Sequence, residues 1–176
     1  MIGSHSSIAG SVQITSVSNK NPSPAKQPSD SLRAMSQTIP ENCRISTEVR
    51  VMYFDTDAGG VVHNIVYLRF IETARTMLAI QMGMNFEEIQ RTGIHAVVTR
   101  TEIDYKSPAK LGEILRVEGR VTEWSGIRFW VEFEVLRAKD SAVLATCKQA
   151  LALVQVATGK PVRLPAGFPA SLSLGL

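Results

Sequence analysis

Between Leu115 and Val156 the chain carries three strand patterns and no helical one, and this constrains the fold more than any other feature. Leu115, Val117, Gly119 and Val121 alternate with Arg116, Glu118, Arg120 and Thr122; Ile127, Phe129, Val131, Phe133 and Val135 alternate with Arg128, Glu132 and Glu134. A period of two sends successive side chains to opposite faces, so each run has one apolar and one polar face. Ala142 to Val156 is apolar at nearly every position, the pattern of a strand covered on both sides. Two earlier runs alternate likewise, Ile45 to Tyr53 and Val97 to Tyr105, the second closed by Ser107-Pro108. Trp124-Ser125-Gly126 reads as a turn, and Thr158-Gly159-Lys160-Pro161 as a stop.

Five apolar strand faces need a cover, and one segment is large enough to supply it. From about Asn64 to Met82, Tyr67, Phe70, Ile71, Ala74, Met77 and Leu78 recur at three- and four-residue spacing. Asn64 is the expected N-cap and Gly83 the stop, with Arg69, Glu72, Thr73, Arg75 and Thr76 on the other face. A short second helix is expected over 86–91, ended by Gly93. The prediction is an α+β domain: a five-stranded antiparallel sheet, its last four strands in hairpin succession, wrapped around one long central helix.

The chain of 176 residues suits one domain, expected over 41–160. Residues 1–40 are rich in Ser and Pro and poor in apolar surface, so they are expected to be a disordered tail; 161–176 is read as a C-terminal tail. The N-terminal stretch lacks the basic-then-apolar layout of a secretory signal, and Met35 offers an alternative translation start. Net charge is +3, but Lys20, Lys26 and Arg33 against Asp30 leave the remainder at +1, with no basic stripe for nucleic acid. Cys43 and Cys147 fit a reducing cytoplasm and lack metal-ligand spacing, so no metal or cofactor is expected. No apolar run approaches the length of a membrane span.

Chemistry concentrates in Tyr53-Phe54-Asp55-Thr56-Asp57-Ala58-Gly59-Gly60-Val61-Val62-His63-Asn64. A strand end, a two-acid turn, a Gly-Gly loop and a helix start follow one another within a dozen residues. Unpaired N–H groups at a helix start favour an oxygen that gains negative charge, and a nearby carboxylate can act as base or nucleophile. Acyl transfer or hydrolysis is the chemistry this pairing suggests.

Val49 to Val62, with Tyr67, Phe70 and Glu72-Thr73-Ala74-Arg75, resembles the hotdog-fold acyl-CoA thioesterases. The likeness is to the 4-hydroxybenzoyl-CoA thioesterase class, and most to its Tol–Pal-associated acyl-CoA thioesterases. Tyr105 to Gly112 is similar to a later strand-end segment of that family, and the likeness spans roughly 44–157. It implies a metal-free hydrolysis of an acyl-CoA to free acid and CoA by a homodimer or homotetramer with sites at the subunit interface. Asp57 corresponds to the catalytic carboxylate, the backbone N–H near Asn64 to the group polarising the thioester carbonyl, and Tyr53 to a site-lining tyrosine. Close relatives carry Tyr-His where this chain has His63-Asn64, so a role needing an imidazole at 64 does not transfer, while a backbone donor does. Substrate contact is expected from Gly59, Gly60, Val62 and Tyr67. Phosphate-binding basic residues after the third strand are replaced here by Ser125-Gly126, leaving Arg128, Lys106 and Lys110 as unranked substitutes.

Each residue also has a plainer reading. Asp before Gly-Gly is a common turn former, so Asp57 reads as catalytic only with the block around it. Asp55 is expected to hold the turn through backbone N–H groups. His63 reads equally as an acid–base group or a satisfied polar residue. Glu72 and Arg75 read as a solvated pair, with Glu72 able to approach the pocket in a dimer. His95 reads as structural, and Trp124 and Trp130 as packing. Two rival functions remain in view. A haloacid-dehalogenase-type phosphatase is disfavoured by Gly59 and by the absence of a βαβ series. The other is a non-catalytic hotdog module that binds acyl-CoA or assembles with partners.

Overall fold

The structure, a computed structural model, describes residues 39–171. The expected N-terminal tail therefore falls, apart from Ile39 and Pro40, outside the described residues. Strands β1 (Arg44–Arg50), β2 (Ile94–Tyr105), β3 (Ile114–Ser125), β4 (Arg128–Arg137), β5 (Val143–Gln155) and β6 (Lys160–Val162) form one antiparallel sheet. Helices α1 (Asn64–Gln81) and α2 (Phe86–Thr92) lie between β1 and β2 in the chain. The five expected strands are present, and the short β6 adds a sixth by pairing with the end of β5.

The order across the sheet is β1-β3-β4-β5-β2. This corrects the expected hairpin succession: β3–β4 and β4–β5 are hairpins, but β2 pairs with β5 at the far edge and β1 pairs with β3. The reason lies in residues 106–113, which cross back over the loop before α1, where Val62 N–H donates to Ala109 O (2.9 Å) and Val61 bridges to Lys110. A connection held there cannot turn β3 back alongside β2.

One side of the sheet carries Val117, Val121, Val131, Phe133, Val135 and Cys147, all buried, and α1 packs on it against β1, β3 and β4. From α1, Tyr67, Phe70, Ile71, Ala74 and Leu78 are buried as its periodicity predicts, whereas Met77 stays 47 % exposed. Gly119 is needed where it stands: a Cβ there would lie 2.6 Å from the Phe133 ring. The opposite side of the sheet is charged, with ion pairs Arg120–Glu132 (3.2 Å) and Lys148–Glu123 (2.8 Å) running between strands.

Three local boundaries differ from the sequence reading. β1 ends at Arg50 and Tyr53–Asp55 makes a single 3-10 turn, because the Asp55 carboxylate accepts the Met52 N–H (2.8 Å) and folds the chain. β3 runs through Trp124, and the reversal falls after Ser125, with Gly126 at φ 61°. The C-terminal segment to residue 171 is docked: Phe168 packs on Trp124 and Phe129, and Cys43 Sγ donates to Pro169 O (3.0 Å).

Candidate active site

The Asp55–His63 stretch is a small hairpin. His63 N–H donates to Asp55 O (3.0 Å), Asp57 N–H donates to Val61 O (2.9 Å), and Thr56 bridges Val62. Gly60 sits at its tip with φ 72°, a left-handed conformation that favours glycine. The hairpin joins directly to α1, so the loop and the helix start share one rim of the molecule.

Two carboxylates two residues apart meet opposite environments. Asp55 is 1 % exposed: one oxygen accepts the Met52 N–H and the other is bonded to the Arg69 guanidinium of α1. It locks the turn to the helix, the role expected of it. Asp57 is exposed; its Oδ1 accepts the Gly59 N–H (2.8 Å), and Oδ2 has no hydrogen-bond partner among the described residues. A Cβ on Gly59 would approach that Oδ1 to 3.1 Å, so glycine here leaves the carboxylate its place.

The helix start is also rearranged relative to expectation. His63, not Asn64, is the N-cap: it has extended dihedrals (φ −60°, ψ 137°), and its Nδ1 accepts the Ile65 N–H (3.3 Å). Asn64 is the first helical residue, with its Oδ1 also accepting that N–H (2.9 Å). The Asn64 N–H donates to no acceptor among the described residues, as befits one of the orphan donors of a first turn. Tyr105, at the end of β2, donates its hydroxyl to Asn64 O (2.9 Å), and the buried Tyr67 hydroxyl accepts the Ala109 N–H (2.9 Å). These two rings meet edge to face at 5.5 Å. Burial pushes both phenols upward in pKa, so they act as neutral hydrogen-bonding groups. Tyr105, which in the sequence marks a strand and opens the Tyr105–Gly112 segment, thus holds the helix start.

Asp57, Gly59, Gly60, His63 and Asn64 are thus gathered at one rim; Val62 and Tyr67 lie buried beneath them. Tyr53 is 81 % exposed and, with Met52 and Phe54, leaves three large apolar side chains uncovered beside the loop. Lys110 faces the Gly-Gly loop through the Val61 bridge. Arg128 pairs with Ser125 at the turn end of β3, the end of the sheet away from the loop, so one chain does not bring it to Asp57. A groove of about 380 Å3 starts beside the helix start at Ile65 and is walled by Leu68, Arg69, Glu72, Arg75 and, from the sheet, Val98, Thr101 and Gln149. A wider depression of about 730 Å3 holds none of the residues expected to act. Among the described residues no cluster of His, Cys, Asp or Glu is suited to a metal ion, and no helix is long and apolar enough to cross a membrane.

Residues 51–172, which include the entire loop, α1 and the sheet from β2 onward, match the thioesterase-like superfamily. The chain belongs to that superfamily. Among curated relatives, the acyl-CoA thioesterase YbgC of Haemophilus influenzae is 36 % identical over 121 residues, covering 68 % of this chain and 88 % of the relative. The acyl-CoA thioester hydrolase YbgC of Escherichia coli is 30 % identical over 66 % of this chain and 87 % of its own. Among solved structures, the DHNA-CoA thioesterase of Staphylococcus aureus superposes with a TM-score of 0.65 at 27 % identity, over 72 % of this chain and 84 % of its own. The antiparallel sheet with few helices fits the hotdog thioesterase fold of this superfamily.

Proposed function

We propose that this member of the thioesterase-like superfamily hydrolyses acyl-CoA at the rim where the Asp57 hairpin meets α1. The chain is an acyl-CoA thioester hydrolase, as its similarity to named thioester hydrolases over most of its folded length indicates. The observation that carries the reading of the site is the pairing of an exposed carboxylate, with one free oxygen, and a helix start whose Asn64 N–H is unengaged among the described residues. Asp57 Oδ2 attacks the thioester carbon or draws a proton from the water that does. The Asn64 N–H, at the positive end of the helix, takes the carbonyl oxygen as it becomes an oxyanion. Water supplies hydroxyl to the acyl carbon and a proton to the departing sulfur, giving acid and CoA thiol. His63 is held as a cap through Nδ1, which orients the ring.

Within one chain the rim is open and bordered by uncovered Met52, Tyr53 and Phe54. A second copy that covers those side chains would exclude water from the reacting carbonyl, and it provides the route by which Tyr53 and Arg128 join the site. A homodimer or homotetramer, a cytoplasmic setting, the wrap of the sheet about α1 as a long central helix, and kinship with the 4-hydroxybenzoyl-CoA and Tol–Pal-associated enzymes all belong to this reading. Gly59, Gly60, Val62 and Tyr67 shape the acyl and pantetheine path, and Lys110, whose backbone bridges Val61, stands with Lys106 as a candidate cation for the CoA phosphates.

Release of free thiol from a panel of short, long and aromatic acyl-CoAs tests the proposal. Asp57→Asn should lower kcat by about 10²–10³, the size of loss seen when an essential polar group is removed from an acyl-transfer site. Asp57→Ala should still bind CoA esters. Undiminished turnover in Asp57→Asn would overturn the assignment and favour the non-catalytic module.

A further inference from the structure

The third turn of α1 carries a cation in an unusual setting. Arg75 reads from sequence as half of a solvated pair with Glu72, yet in the fold its side chain is only 22 % exposed and turns toward the sheet. Its Nη1 donates to Gln149 Oε1 (2.8 Å), and Gln149 in turn donates to Thr101 Oγ1 (3.3 Å). Gln149, at 3 % exposure, is one of only three buried polar or charged residues among those described. The expected partner Glu72 does form an ion pair with it, but a loose one: its carboxylate stands 3.6 Å from Arg75 Nη2, beyond hydrogen-bond range, and its side chain is 66 % exposed. A guanidinium has five N–H donors, and Arg75 engages one protein acceptor at hydrogen-bond distance among the described residues. Burial is the largest influence on its protonation and pulls its pKa down, the mark of a charge whose lost hydration is incompletely replaced.

The position of this charge gives it meaning. It stands in the groove of about 380 Å3 that opens at Ile65, the residue after Asn64, and whose apolar walls are Ile65, Leu68 and Val98. Arg75 lies ten helical steps beyond Ile65, on the order of 15 Å along the axis, and helical side chains lean back toward the start. An acyl group with its thioester at the rim would therefore run past apolar walls and end near a forked, under-compensated cation. Carboxylates match that fork with two parallel charge-assisted bonds.

We propose that the groove selects acyl groups that end in a carboxylate, so that the substrates are CoA monothioesters of dicarboxylic acids of medium length. This rests on the thioesterase reading above. Arg75 holds the distal carboxylate, which displaces the loosely paired Glu72; Gln149 holds Arg75, Thr101 holds Gln149, and Ile65, Leu68 and Val98 cover the methylenes. Hydrolysis then releases a dicarboxylic acid and CoA thiol, with no further reactant than water.

The test compares kcat/KM for sebacoyl-CoA and decanoyl-CoA, equal in length, long enough to span the groove and differing at the far end. Wild-type protein should prefer sebacoyl-CoA by about tenfold or more, the scale of a charge-assisted bond. Arg75→Met should abolish that ratio, and Arg75→Lys, which keeps charge without the fork, should retain part of it. Should Arg75→Met fail to fold, inhibition of the wild type by free sebacate over decanoate gives the same discrimination. Hydrolysis of both esters with no preference, or with decanoyl-CoA preferred, overturns the carboxylate proposal and leaves the thioesterase reading standing. The same holds if Arg75→Met loses its self-association instead of its selectivity, since Arg75 would then serve a second copy. Failure of the wild type to cleave any ester of the panel sinks both.

Discussion

The two ends of α1 are held in different ways. At its C-terminal end, the 3-10 turn Glu41–Cys43, the β3–β4 turn and the docked C-terminal segment close over the core with apolar side chains. Phe168 is 8 % exposed between Trp124 and Phe129, and Leu164 N–H donates to Gly126 O (3.0 Å). At its N-terminal end, the Asp57 hairpin is ordered by directional bonds, and large apolar groups are left outside: Tyr53 is 81 % and Phe54 72 % exposed. Packing seals space, whereas hydrogen bonds can fix atoms beside space that stays open. The end proposed to admit a substrate is the hydrogen-bonded one.

Substitutions at the two ends should break this contrast in opposite ways. The largest stability loss is expected for Phe168→Ala, about 3 kcal/mol, the lower part of the range for a buried aromatic, because the segment is peripheral. Urea unfolding would measure it, with thioester hydrolysis by the folded protein unaltered; a loss below 1 kcal/mol would mean the segment is not part of the closure. Next comes Asp55→Asn, expected to cost about 2 kcal/mol, since the buried partner of Met52 N–H and Arg69 loses its charge while half-exposed Arg69 regains water. Asp57→Asn should change unfolding by less than about 0.5 kcal/mol, as an exposed site does. If both variants lose equal stability, the division of labour between the two acids is wrong.

A smaller effect comes through the thiol of Cys147, which faces α1 and is pushed up to about 11 from 9.0 by burial, opposed by nearby Arg75. In the fold it stays protonated after it would ionise in the unfolded chain, so its contribution is complete below pH 9 and is lost as pH rises toward 11. Roughly 1–2 kcal/mol should disappear over that window and not in Cys147→Ala. A pH-independent difference between the two proteins would show that the interior beside Arg75 is wet. The smallest change is expected for Tyr105→Phe, about 1 kcal/mol or less for one hydrogen bond, accompanied by faster amide exchange in the first turn of α1. Unchanged exchange there would remove Tyr105 from the support of the site.

Most of the candidate site was legible because its signals are local. The Asp-Thr-Asp turn, the Gly-Gly tip and the apolar face of α1 all fall within one stretch, and the expected helix agrees with Asn64–Gln81. His63 and Asn64 compete for the cap, and the residue that takes it is set by backbone dihedrals that neither side chain announces. Arg75 reads as exposed because a helical period ranks faces by polarity; the pair with Glu72 forms, but its hydrogen-bond partner, Gln149, is 74 residues away. Phe168 lies beyond the last recognisable strand, in a Pro/Gly/Ser-rich stretch whose composition suggests a free tail.

What this sequence determined by itself was the inventory: which segments are strands, which face of each is apolar, where the one long helix begins, and which acid sits in a glycine turn. Those follow from periodicity and turn chemistry over a few residues. The tertiary structure alone decided that β2 goes to the far edge beside β5, that the C-terminal segment shuts one end of the core, and that Arg75 meets Gln149, itself bonded to Thr101. Alternation tells a strand which side faces inward but not which neighbour it will have, because partner choice depends on how distant segments share one limited interior.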